Sequence, residues 1–365
     1  MKAILFVLIF LPIGQGSAAA PPETKNIIVY RETGRFGGWP ANHGIWSWGD
    51  EILVGFSAAY FKHQPADRHQ YENAKPEEPR LARSLDGGET WRIEKPASLL
   101  PPEQGGPALS DLIEPMDFSN PDFIMTIRYT DKDAGSSRLW YSVDRGKTWR
   151  GAFRFPVFGQ PGIAARTDYV IEGKRQALVF LTAAKKNGKE GRVFCARTKD
   201  GGLHWTFGSW LGEETEGFRI MPSTVRLPGG VLLTATRTKQ PPDSNWIDLF
   251  RSGDDGVNWT LASRPVPSTG IHSGNPPHMI RLRDGRLCLT YGYRGEPYGI
   301  RTRLSGDEGK TWSDETVLRA DGAAWDLGYV RTAQRLDGKI VVVYYFAERP
   351  SSERVIVATI WNPGA

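Results

Sequence analysis

Ser84-Leu85-Asp86-Gly87-Gly88-Glu89-Thr90-Trp91 decides the reading of this chain, because the same pattern returns four more times. The copies run 142–149, 198–205, 252–259 and 305–312, and all five fit (Ser/Thr)-x-Asp-x-Gly-x-x-Trp. Their aspartates, Asp86, Asp144, Asp200, Asp254 and Asp307, lie 58, 56, 54 and 53 residues apart. A short motif at a near-constant interval of this size marks a repeat architecture with units of propeller-blade length. The residue types suit a hairpin turn. An Asp carboxylate bonds backbone N–H groups two residues on, Gly supplies a left-handed backbone, and Trp anchors the returning strand. The five copies therefore read as scaffold.

The runs around each motif repeat as well. In the fourth unit, apolar or alternating stretches at 222–227, 231–237 and 246–252 are separated by turns such as Pro228-Gly229-Gly230. The fifth unit repeats this at 278–282, 286–291 and 298–305, with Arg283-Asp284-Gly285 between the first two. The motif thus joins the third strand of a four-stranded blade to its fourth. After the fifth motif three more runs follow, at 329–335, 339–345 and 354–361. The missing fourth strand of that blade is available at 25–30, and pairing the two ends closes the ring and removes its exposed edges. The expectation is an all-β, six-bladed propeller over residues 21–365, with seven blades as the second choice. An unpatterned insert at 62–79, between the second and third strands of blade 1, has the length of a loop that covers a site or is disordered.

The N-terminus carries Lys2, an apolar run at 3–13 and Ala18-Ala19-Ala20, the pattern of a cleavable export signal cut after Ala20. No Cys follows the small residues, and no later stretch is long and apolar enough to span a bilayer, so no membrane anchor is expected. The expected location is secreted or periplasmic, and a monomer is expected. The formal charge is +5, with both signs interspersed, which argues against a nucleic-acid partner and permits an acidic sugar as ligand. Cys195 and Cys288 sit in apolar runs of different repeats and read as buried free thiols. The six histidines show no ligand spacing, so neither a metal nor another cofactor is expected.

A propeller gathers ligand groups at one mouth of its channel. The positions that reach it are Arg35, Asn42, His43, Asp67, His69, Arg128, Arg166, Asp168, Arg219, Arg237, His272, Asn275, Arg294, Tyr298, Asp326, Tyr329 and Glu348. Cations outnumber carboxylates there, which suits an anionic ligand. Arg128, Arg237 and Arg294 end the second strands of blades 2, 4 and 5, and this equivalence aims them at one centre.

Five boxes in register on a six-unit chain resemble the sialidase (neuraminidase) superfamily, and the resemblance spans residues 25–362. It implies a Tyr nucleophile, a carboxylic acid/base and an Arg clamp on the substrate carboxylate. Sialidases stand among the exceptions to the two-carboxylate rule of glycosidases. Carried over by position, the resemblance makes Tyr329 the nucleophile, Asp67 the acid/base and Glu348 the Glu that orients an Arg. Arg237 matches the second clamp Arg. Arg294 stands three residues before the third clamp position, which is Pro297 here, and Arg35 is displaced from the first, which is Gly38. The Glu that activates the Tyr aligns with Met221; Asp326, or a glutamate among Glu213, Glu214 and Glu216, is the available substitute. Arg128, Asn42, His43 and Asp326 complete the binding set. The implied activity is exo-hydrolysis of a terminal sialic acid or related acidic sugar of a glycan. Two alternatives stay open: a uronate-directed hydrolase or lyase using His43, His69 or a Tyr, and a glycan-binding propeller without catalysis.

Overall fold

The computed structural model describes residues 23–364, and in it six sheets follow one another along the chain and close into a ring. The proposed leader at 1–20 and its cut after Ala20 lie outside the described residues. Helix is confined, among the described residues, to three single-turn 3-10 segments. The sixth sheet is composite. Strand Thr24–Tyr30 pairs antiparallel with Arg354–Trp361, which pairs with Ile340–Ala347 and then Gly328–Gln334. The architecture expected from the box spacing is thus the one observed.

Each box joins the last two strands of its blade, and its hydrogen bonds differ from the expected two-residue reach. In the first box the Asp86 carboxylate accepts from the backbone N–H of Thr90 (2.9 Å) and from its hydroxyl (2.6 Å), four residues on. The Gly88 N–H donates to Ser84 Oγ (2.7 Å), and Trp91 Nε1 donates to the Gly88 carbonyl (2.9 Å). His204 and Asn258 replace the Thr side chain on Asp200 and Asp254 at 2.7 Å, so His204 is a turn residue. The box Gly must be Gly for two reasons. At Gly309 the backbone is left-handed (φ 81°), and a Cβ would stand 2.3 Å from Leu249 of the preceding blade.

Apolar clusters join every blade to its neighbour. Phe36, Ile52 and Phe56 pack on Val341 and Val343 between blades 1 and 6, while Leu53 and Leu81 pack on Ile124 and Trp140 between blades 1 and 2. Continuous burial around the ring lets the blades act as one core. Cys195 and Cys288 are buried and free within it.

Three departures from regular blades position the mouth. The inner strand of blade 1 is split into Arg35–Gly38 and Ile45–Trp48, both paired with Glu51–Tyr60, and the break carries Asn42 and His43. Blade 3 is split likewise, and its break at 165–168 carries Arg166. Blade 2 has three strands, not the four expected. The stretch before Ile124–Tyr129 holds Pro101, Pro102, Pro107, Pro115 and Pro121, and prolines lack the N–H that a ladder requires. In blades 4 and 6 the inner strands shift register between Ile220 and Ser223 and between Gly328 and Arg331. Met221 and Tyr329 sit in those bulges with left-handed backbones (φ 53° and 51°). A bulge re-aims a side chain off the ladder, and here it sends Tyr329 to the mouth.

Candidate active site

A cavity of about 880 Å³ opens at the mouth, and Tyr329, Arg166, Arg237, Arg294 and His69 line it together. The Tyr329 hydroxyl accepts from Arg237 Nη1 at 3.1 Å, and its backbone N–H donates to Asn275 Oδ1 at 2.9 Å. Burial pushes the hydroxyl's pKa up, but Arg237, Arg294 and Arg166 outweigh it and hold the group below its ordinary value.

Arg237 and Arg294 are held by neutral groups. Arg237 Nε donates to the Ser273 carbonyl (2.9 Å), and Arg294 donates to the His272 carbonyl and the Tyr345 hydroxyl (3.0 Å each). Arg294 also stacks over Trp325 at 5.0 Å. Neither guanidinium has a carboxylate within ion-pair distance among the described residues, although both are nearly buried (5% and 2% exposed). Arg166, by contrast, is paired with Glu190 and held by Asn42 Oδ1 (3.2 Å). Two desolvated cations that have no counterion among the described residues suit an anionic ligand.

On the facing side, His69 Nδ1 lies 2.6 Å from Asp326 Oδ1, which also accepts from the Tyr345 hydroxyl at 2.6 Å. Burial opposes ionisation of Asp326, yet His69, Arg354 and Tyr345 hold its pKa at about 2. Asp326 therefore stays a carboxylate and holds His69, which lines the same cavity as Tyr329. The long insert of blade 1 supplies His69, Asp67 and Tyr71, so it covers the site, one of the two roles its length suggested.

The sequence-derived residues fall in three places. Tyr329, Arg237, Arg294 and Asp67 line the main cavity, Asp67 as an exposed rim residue, and Asp326 lies beneath it. Arg128, Asn42 and His43 line a neighbouring cavity of about 340 Å³. Arg128 does not join the other two arginines, because its guanidinium stacks over Trp140 (4.3 Å) and donates to the Leu99 carbonyl (2.9 Å). Arg166 takes the facing position instead. Arg35 and Glu348 line neither cavity: Arg35 pairs with Glu78 (3.0 Å), and Glu348 with Arg31 (2.5 Å). The activator position holds the Met221 thioether, 3.5 Å from Arg237 Nη1, and Glu213, Glu214 and Glu216 do not line the cavity. Asp326 bonds His69 and not Tyr329. Trp325, Glu190 and Glu77 escaped the sequence reading. Trp325 adjoins Asp326 and was the most accessible to it, whereas Glu77 ends an insert that offers no pattern.

No family model and no curated protein matches the chain. Among solved structures, a protein of unknown function from Dyadobacter fermentans is 21% identical over 93% of this chain and 99% of its own, with a TM-score of 0.72. A Trypanosoma rangeli sialidase mutant displaying trans-sialidase activity is 13% identical over 94% of this chain and 60% of its own (TM-score 0.60). An α-L-arabinofuranosidase from Fusarium graminearum is 10% identical over 94% and 98% (TM-score 0.58). Likeness at these identities speaks to the fold. By fold, the chain is a six-bladed β-propeller of the sialidase type.

Proposed function

We propose that the protein is an exo-acting glycoside hydrolase for a terminal acidic sugar, sialic acid or a related one, with Tyr329 as nucleophile. The observation that carries the reading is the pair Arg237 and Arg294, buried beside the Tyr329 hydroxyl with no counterion among the described residues. A sugar carboxylate seated on them brings its anomeric carbon toward Tyr329. The phenol suits an anomeric carbon next to a carboxylate, since a carboxylate nucleophile would meet like-charge repulsion there. The loss of the activating Glu at Met221 is offset electrostatically, because neighbouring guanidinium groups favour the phenolate that a base would otherwise generate. Fold-level likeness to a sialidase and an arabinofuranosidase supports glycan chemistry by analogy.

One observation favours a second reading. The oriented His69 shares the cavity with Tyr329, a pairing suited to moving a proton on a uronate whose carboxylate the arginines neutralise. The test is release of a fluorescent aglycone from an α-sialoside by wild type and Tyr329→Phe. Turnover that collapses in the variant supports the first reading. An unsaturated, ultraviolet-absorbing product from a uronate polysaccharide supports the second, and absence of any turnover removes both.

A further inference from the structure

Apart from Asp67, five carboxyl groups line or underlie the two cavities, and four of them already serve a cation. Asp133 pairs with Lys132 and Lys189 (2.8 and 3.1 Å), Glu190 with Arg166, Glu103 with Arg138 (2.7 Å), and Asp326 with His69 and Arg354. Glu77 is the fifth. It ends the long insert of blade 1, its backbone carbonyl is pinned by Gln104 Nε2 (2.9 Å), and among the described residues no cation stands within ion-pair distance of its carboxyl. Ser57 lines the same cavity as Glu77, and its hydroxyl lies 3.0 Å from His43 Nε2. Tyr71 and Asn73 line both cavities, so the space around Glu77 adjoins the space around Tyr329.

A retaining glycosidase needs a protonated acid on the leaving-group side of the bond its nucleophile attacks. Asp67, the acid implied by the sialidase resemblance, is solvent-exposed on the rim and makes no side-chain hydrogen bond or ion pair among the described residues. Burial raises the pKa of Glu77, and Ser57 and His69 only partly oppose this, so its protonated form is favoured relative to that of an ordinary glutamate. The rest of its cavity suits a sugar: Asn42, Ser57 and His43 offer neutral hydrogen-bonding groups, and burial together with Arg128 and Arg331 keeps His43 uncharged near neutral pH.

We propose that the second cavity receives the sugar on the leaving side of the scissile bond, and that Glu77 is the acid that protonates the departing oxygen. This rests on the glycosidase reading above. In the first step the Tyr329 phenolate forms a bond to the anomeric carbon, the glycosidic C–O bond breaks, and its electron pair takes the Glu77 proton. In the second step water attacks the anomeric carbon and gives its proton to the Glu77 carboxylate. Tyr329 departs as the phenolate, and both residues are restored.

The test is Glu77→Gln, measured as kcat/KM on two leaving groups of the same acidic sugar: sialyllactose, whose alcohol needs protonation, and 4-methylumbelliferyl sialoside, whose phenol does not. The matching glucuronide pair follows if sialosides are inert. A loss of roughly 10²–10⁴-fold on the sugar leaving group, with about tenfold or less on the aryl one, is the expected pattern. Added azide, which needs no base, is expected to restore kcat of the variant on the aryl substrate. Equal loss on both leaving groups in a variant that melts like wild type, or no azide rescue, overturns the role of Glu77 and leaves the glycosidase reading standing. A wild type inert on all four substrates overturns both.

Discussion

The box turns at the rim of the ring and the residues at its mouth hang on the same blades, yet the chain spends its regularity on one and its exceptions on the other. In every box the Ser or Thr hydroxyl accepts the Gly N–H four residues on, at 2.7–2.9 Å, and the Asp carboxylate is filled by the backbone and side chain of position seven. The fourth box position is left-handed in every copy, as Gly87 and Gly201 in two of them and as Arg145, Asp255 and Glu308, with the strain of a side chain, in the other three. At the mouth the left-handed residues are Trp39, Met221, His272, Ser273 and Tyr329, each in a different local setting. Strain at a turn is paid once per copy by the same bonds, whereas strain at the mouth persists because each neighbour differs. A redundant rim thus supports a site with no redundancy.

The sharpest way to break that contrast is at Tyr329. Tyr329→Phe removes one hydroxyl whose only side-chain partner among the described residues is Arg237, so stability is expected to change by less than about 1 kcal/mol. Turnover is expected to fall about 10³-fold or more, as for other lost nucleophiles. A thermal melt beside an activity assay reads both. A variant that melts early while retaining its rate would make Tyr329 a scaffold residue.

The converse belongs to the rim. Gly309→Ala places a Cβ against Leu249 and into a left-handed backbone, and is expected to cost about 2–4 kcal/mol in denaturant unfolding. The KM and kcat of the protein that stays folded are expected to match wild type. A changed KM would show that the rim and the mouth are coupled.

The sequence exposes these two regions unequally, for a physical reason. A box is a local solution, complete within eight residues, so one pattern predicts both its turn and its place between the third and fourth strands. Even there the reach of Asp86 was misjudged by two residues, because the Ser84 hydroxyl and not the carboxylate serves the nearer N–H. The mouth assembles residues from the insert of blade 1 and from blades 3 to 6, with partners as far apart as His69 and Asp326. Equivalent positions aligned Arg237 with Arg294 correctly but added Arg128, whose fate depends on Trp140 and Leu99. Glu348 and Arg35 were placed by family position, and their actual partners, Arg31 and Glu78, were not visible as partners in the sequence. Glu77 was missed because its significance is the absence of a cation, which only the folded arrangement reveals.

Asp326 tests the mouth through stability. Its folded pKa of about 2 lies below the unfolded carboxylate value, so its stabilisation is fully present above about pH 4 and is lost as pH falls toward 2. The shift corresponds to roughly 2.5 kcal/mol. Asp326→Asn is expected to flatten the acid limb of the stability curve between those values, with urea midpoints at pH 2.5 and 5 as the readout. An unchanged limb would assign acid sensitivity to the box aspartates instead, several of which are held near 2 by their turns.

The smallest expected effect separates a guanidinium that only grips substrate from one that also tunes the nucleophile. Arg294 acts on Tyr329 across space and donates it no hydrogen bond, so Arg294→Gln leaves the Arg237 contact intact while removing one charge. Burial alone raises the tyrosine, so each lost cation lets the hydroxyl climb. The limb of kcat that rises with pH, which reports the phenolate, is expected to move to higher pH. KM for the acidic substrate is expected to rise as well, since the clamp loses half its charge. A risen KM with an unmoved limb would confine Arg294 to gripping the carboxylate, and the phenolate would then depend on Arg237, at 3.1 Å, alone.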